Sequence, residues 1–183
     1  IRRIDAPAAK GFHRVAWDLR HPYYGSVETP NNWQGLPPSG FMVIPGTYSA
    51  ELVLMKDGKA RSLDEPVSFD VVRMHKPALE GATMEEMDAF YKEYSALYGQ
   101  VSAARYAIAE AVEDVETLQK MLAATAAAPG DLDARLHDLR QELYDIDQAL
   151  TGDKSRGAIG DYDVHNVNSW LGHAYNGVDN SSY

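Results

Sequence analysis

Residues 11–20 read Gly11-Phe12-His13-Arg14-Val15-Ala16-Trp17-Asp18-Leu19-Arg20. Apolar Phe12, Val15, Trp17 and Leu19 alternate with polar His13, Arg14, Asp18 and Arg20, with one slip of phase at Ala16. The pattern predicts a half-buried strand over Phe12–Leu19 anchored by an aromatic, with a bulge absorbing the slip. Alternation turns Trp17 inward and Asp18 outward, so the two cannot converge on one ligand and Trp17 reads as core. Farther on, Val43-Ile44-Pro45-Gly46-Thr47-Tyr48-Ser49-Ala50-Glu51-Leu52-Val53-Leu54 is a Pro-Gly turn leading into a second strand.

The same period of two continues to about Lys76. Candidate strands are Gly46–Met55, Ala60–Leu63 and Val67–Met74, and Asp57-Gly58 supplies a tight hairpin turn because both residues tolerate positive φ. Ile1-Arg2-Arg3-Ile4 also reads as a strand, which leaves a β-sandwich incomplete at that edge. The segment His21 to Gly40, rich in Pro, Gly, Asn and aromatics, is too long for a simple turn and reads as a functional loop or a packed Ω-type excursion.

After Pro77 the period changes. Thr83-Met84-Glu85-Glu86 is a capping-box start. Met87, Tyr91, Tyr94, Tyr98, Val101, Ile108, Val112, Val115 and Leu122 then form a three-four stripe, predicting a helix of roughly 40 residues, about 60 Å long. Its aromatic beginning, Phe90, Tyr91, Tyr94 and Tyr98, is expected to pack on a third helix or on the β half. Pro129-Gly130 ends it, and Asp131 can cap a second helix. There Leu132, Leu136, Leu139, Leu143, Ile146 and Leu150 make a coiled-coil-like seam that stops at Thr151-Gly152. The seam fits a hairpin within the chain, favoured by the Pro-Gly turn, or a dimer interface between chains. A third helix carries Val164, Val167, Leu171 and Ala174 on one face, with Asp161 or Asp163 as cap and Gly177 as stop. The expected organisation is α+β, with a β-sandwich over 1–76 and a three-helix bundle built on a long antiparallel hairpin over 77–183.

Composition narrows the function classes. The chain has 183 residues, 45% hydrophobic, enough for packed cores. A formal net charge of −10 with singly scattered Lys and Arg argues against nucleic acid and anionic membranes. There is no cysteine, hence no thiol chemistry, Cys-type zinc site or disulfide. No apolar run approaches the roughly 20 residues of a membrane span. The opening on Ile1 rather than Met is expected of a processed or excised fragment.

Catalytic motifs are sparse. Of the carboxylate pairs Glu85/Glu86, Asp131/Asp133, Asp145/Asp147 and Asp161/Asp163, three fall at predicted helix starts, where acids favour the macrodipole without further purpose. The histidines, His13, His21, His75, His137, His165 and His173, form no i,i+4 ligand pair. Asp161-x-Asp163-x-His165 has metal-binding side chains at loose spacing, which helix capping explains better. Neither Gly-x-Ser-x-Gly nor Ser-x-x-Lys occurs, Gly152 to Gly160 lacks the context of a phosphate loop, and Asn180-Ser181-Ser182 is a weak sequon. No catalytic residue, metal ligand or cofactor is assigned. The polar–aromatic loop Tyr23-Tyr24-Gly25 with Asn31-Asn32-Trp33-Gln34-Gly35 has the chemistry of sugar recognition, so Trp33, Tyr23, Tyr24 and Asn32 are the candidate ligand-binding residues. The competing reading has Trp33 plugging the edge of its own sandwich or a neighbouring domain.

Gly11–Arg20 together with Pro45-Gly46-Thr47-Tyr48 resembles the C-terminal region of bacterial sortilin-like, BNR-repeat β-propeller proteins, often labelled glycosyl hydrolases. That resemblance implies a small Ig-like sandwich followed by a helical hairpin and a short third helix, and it runs through nearly all 183 residues in order of elements. Its specific part is the two β motifs. His13 stands where the family commonly has Asn, and Gly157 to Asp161 replaces a Pro-rich approach to the last helix. Catalysis in that family is expected of the propeller, and no blade repeat occurs in this chain. The resemblance therefore implies a non-catalytic accessory region that is secreted, periplasmic or at the cell surface. Its expected partners are an upstream β-propeller of the same protein or other secreted or cell-surface proteins. A carbohydrate-binding module, or the accessory part of a glycoside hydrolase, is the alternative.

Overall fold

The computed structural model describes residues 1–25, 39–75, 81–126, 128–161 and 166–179. The chain is α+β, with, among the described residues, two small antiparallel sheets preceding a long helix and three shorter ones. It divides into two compact units, one of Ile1–Pro22 with Gly40–Tyr91, the other of Tyr23–Ser39 with Lys92–Tyr183.

In the first unit, β1 (Gly46–Ala50) pairs antiparallel with β4 (Val67–Val71), and β2 (Val53–Lys56) with β3 (Lys59–Ser62). Asp57 (φ 50°) and Gly58 (φ 72°) close the β2–β3 hairpin with positive φ at both turn positions, as the dipeptide predicts. The expected single strand Gly46–Met55 is interrupted. Val53 lies opposite Ser62 but Ala50 lies opposite Val67, so the returning arm holds two more residues than the outgoing one. Pro66, which has no N–H for a ladder, and Asp64, which accepts locally from Glu65 N, sit in that excess. The ladder breaks there, and β1 and β2 fall into different sheets. β4 also stops at Val71, short of the expected Met74.

The run Phe12–Leu19 is not a strand, and neither is Ile1–Ile4. Leu19 (φ 58°) turns the chain out of extended geometry, and among the described residues a single bridge, Arg20 with Met42, follows. Backbone bonds from His21 N to Phe41 O and from Val43 N to Leu19 O secure that crossing. The alternation instead records side-chain packing at one position. Trp17 meets Tyr48 and Phe69 edge-on, at 5.5 and 6.1 Å between ring centroids, while Phe12 is 90% exposed. Tyr48 and Phe69 are cross-strand partners, so one indole clamps the β1–β4 ribbon on one face.

α1 (Met84–Ala123) begins in the first unit and continues through the second. Its capping box is complete: Thr83 N donates to Glu86 Oε2 at 2.8 Å, and Glu86 N to Thr83 Oγ1 at 3.1 Å. The residues of its three-four stripe are all buried or half-buried, with Tyr94 and Val115 deepest. α2 (Leu132–Thr151) ends at Gly152 (φ 84°), and contacts α4 (Val167–Asp179). Asp131 precedes α2 in helical geometry without a side-chain cap bond, so its expected capping role is not realised.

Between them lies an unanticipated short helix, α3 (Lys154–Ala158), capped by Asp153, whose Oδ1 accepts from Ser155 N. α4 is capped by Asn166, whose Oδ1 accepts from Ser169 N at 2.8 Å. Asp161, one of the two acids expected there, instead pairs with Arg156 at 2.9 Å, while Asp163 and Val164 lie outside the described residues. The helix passes through Gly177 to Asp179, because glycine ends a helix only where it turns left-handed, and Gly177 does not.

Candidate functional site

The first unit holds a cavity of about 580 Å³. Ile1, Ile4 and Val15 line one part, Trp17 and Phe69 another, and the run Thr47–Leu52 a third. That run is β1 and its exit, and β1 has a ladder only with β4 among the described residues. The N-terminal segment is held over the cavity by Arg2, which donates to both oxygens of Asp18 at 2.7 and 2.8 Å. Slight burial favours the neutral acid, but hydrogen bonds from Arg2 and the Arg20 backbone, with the Arg2 charge, outweigh it. They hold the Asp18 carboxyl below the ordinary range. Asp18 is thus a tether between sequence-distant segments.

The second unit gathers five tyrosines. Tyr24 meets Tyr94 and Tyr98 edge-on at 6.0 and 5.2 Å, Tyr23 lies 5.4 Å from Tyr24, and Tyr175 of α4 lies 5.8 Å from Tyr94. Gly99 permits this contact, since a β-carbon there would stand 2.8 Å from the Tyr24 carbonyl oxygen. Burial, with the neighbouring phenols, raises the Tyr24 phenol well above its usual range and pushes Tyr94 up to about 12. Tyr98 is raised by burial and by its hydrogen bond with Tyr23. Of the four candidate ligand-binding residues, Tyr23 and Tyr24 are therefore brought together, half-buried, with Tyr24 packed on α1. Trp33 and Asn32 lie outside the described residues.

Tyr94, Tyr98 and Tyr175 went unassigned as cluster members because a helical stripe does not say which distant segment it receives. The aromatic start of α1 behaves as expected within each unit: Tyr94 packs on α4, and Tyr91 stacks on Phe41 with centroids 4.0 Å apart. Its glycine at position 99, on the packed side of an otherwise good helix, was the available signal.

Several of the acids are engaged structurally. Glu86 is held below its ordinary range by the Thr83 backbone N–H first and its hydroxyl second. Asp147 accepts from Lys154 at 2.6 Å, and Asp145 from Gln141 at 3.0 Å. His13 Nε2 lies 2.7 Å from the Ala9 carbonyl oxygen. Among the described residues no group of three His, Asp or Glu is placed to hold a metal ion, and no helix is long and apolar enough to cross a membrane. No family model, curated protein or solved structure matches the chain.

Proposed function

We propose that this chain is a non-catalytic accessory region of a larger secreted propeller protein, an incomplete Ig-like sandwich followed by a helical hairpin with a short third helix, and that it braces the propeller or mediates assembly. The observation that carries this reading is the thin core of the first unit. Among its described residues Val43 (6% exposed) is the one buried apolar side chain, while Ile1, Ile4, Val15, Met42, Leu52 and Phe69 remain substantially exposed. A unit of this size normally needs a continuous apolar core to offset chain entropy. A packing surface supplied by a larger body would complete it. The open edge of β1 beside the cavity supports the same view, because a two-stranded ribbon is marginal until a third strand or another layer joins it. The resemblance carried by Gly11–Arg20 and Pro45–Tyr48 names that body as the preceding propeller.

Hydrogen exchange on the isolated chain and on the full-length protein tests the reading. Amides of β1 and β4 should be weakly protected in isolation and strongly protected in the larger protein. Equal protection in both would overturn it, as would turnover of model glycosides by the isolated chain. Glycans should leave its tryptophan fluorescence unchanged, and a response abolished by Trp33→Ala would establish the carbohydrate-binding alternative instead.

A further inference from the structure

We infer that α2 is a docking helix for a basic partner helix, and that it does not pair with its own copy. The seam read from sequence is used only by half. Leu136, Leu143 and Leu150 are half-buried, whereas Leu132, Leu139 and Ile146 are 48%, 44% and 50% exposed. The exposed three recur every seven residues, a straight apolar line about 21 Å long on one helix. That spacing fits heptad side chains of a second helix.

Charge selects the partner. The second unit carries sixteen Asp and Glu against seven Lys and Arg, nearly all of the chain's net charge. Flanking the exposed line, on the side away from half-buried Leu136 and Leu143, are Asp138, Glu142 and Asp145 against Arg135. Arg140 already pairs with Glu116 of α1 at 3.4 Å, and Asp147 with Lys154. Self-pairing meets like charges in both orientations. A parallel dimer seated on the exposed line sets Arg135 against Arg135 and Glu142 against Glu142 of the second copy. An antiparallel one on the same line sets Asp138 against Asp145. A helix with leucines at heptad spacing and Lys or Arg beside them meets an apolar line in an acidic frame.

The test uses a synthetic three-heptad peptide with Leu at a and d and Lys at e and g, and a twin with Glu at e and g, titrated against the whole chain by fluorescence anisotropy. The Lys peptide should bind about tenfold tighter or more, through several flanking ion pairs, and high salt should shrink the preference. Leu139→Ala should weaken binding about tenfold, the loss of one apolar contact, with the circular dichroism of the chain unchanged. Asp138→Lys with Glu142→Lys should turn the preference toward the Glu peptide. Equal binding of the two peptides, binding indifferent to Leu139→Ala, or no binding would each overturn the proposal. So would sedimentation of the chain as a dimer that Leu139→Ala dissociates, which would make the second copy the occupant.

Discussion

The carbonyl oxygen of Tyr24 rests against Gly99 of α1, 2.8 Å from where a β-carbon would stand. Two segments 75 residues apart therefore meet backbone to backbone, with Tyr98 and Tyr94 closing over the Tyr24 ring. Gly99→Ala sets two effects against each other. Alanine improves an exposed helix by about 1 kcal/mol, whereas forcing a methyl into a packed backbone contact costs about 1–3 kcal/mol. Because the obstacle is a carbonyl and not a flexible side chain, the second effect should win. Thermal melts should show a net loss of about 1 kcal/mol, with loss of near-ultraviolet tyrosine circular dichroism. A variant more stable than the parent would mean that the Tyr24 segment moves aside at no cost.

The tyrosine cluster also predicts an alkaline limit. Burial raises the Tyr24, Tyr94 and Tyr98 phenols in the folded state, Tyr94 from 10.0 to about 12. The folded chain then holds these protons more tightly than the unfolded chain. Their contribution is full below about pH 10 and is lost as pH rises through about 12. Phenolate absorbance and far-ultraviolet circular dichroism should change together across that window. Tyr94→Phe, which removes one of the ionising groups, should move the midpoint to higher pH. Ionisation of all tyrosines before any loss of helix would show that the cluster opens locally.

What was legible in sequence is what local chemistry dictates. The start and the run of α1 were readable because a capping box opens it and a three-four stripe runs along it, but it ends at Ala123, ahead of the Pro129-Gly130 expected to end it. The Asp57-Gly58 turn was readable because its two positive φ values are a property of two adjacent residues. Phe12–Leu19 failed because alternation reports which side chains pack and not whether a neighbouring strand offers hydrogen bonds. Among the described residues only Trp17 of that run has aromatic partners, and Leu19 turns left-handed at its end. The switch between β1 and β2 was hidden for a similar reason, since it follows from two extra residues and a proline on the opposite arm. The tyrosine site was half legible: Tyr23 and Tyr24 carried a signal, but their receiving surface on α1 and α4 is a tertiary fact.

Asn166 should be the most sensitive polar position of the second unit. It is 4% exposed and its Oδ1 accepts from Ser169 N at the start of α4. Asn166→Ala removes the cap and leaves the half-buried Ser169 N–H without that acceptor, a loss of about 1–2 kcal/mol. Asn166→Asp keeps the acceptor and adds charge at a helix N-terminus, so it should recover most of the loss despite burial. Chemical denaturation of the three proteins gives the comparison. Equal destabilisation by Ala and Asp would show that packing of the amide, and not the cap, fixes α4.

Trp17 separates packing from hydrogen bonding in the first unit. Its indole Nε1 donates to the Arg20 carbonyl at 3.0 Å, while its ring meets Tyr48 and Phe69 edge-on. Trp17→Phe retains an aromatic edge at the ribbon and loses the donor, which should cost about 1 kcal/mol. Trp17→Ala loses both and opens the cavity floor, which should cost about 3 kcal/mol for a half-buried indole. The amides of Tyr48 and Phe69 report the difference, because the clamp sits on their shared pair. Their exchange should quicken modestly in the Phe variant and strongly in the Ala variant. If the two variants exchange alike, the Arg20 hydrogen bond, and not the aromatic clamp, holds Leu19 and its turn against the β1–β4 ribbon.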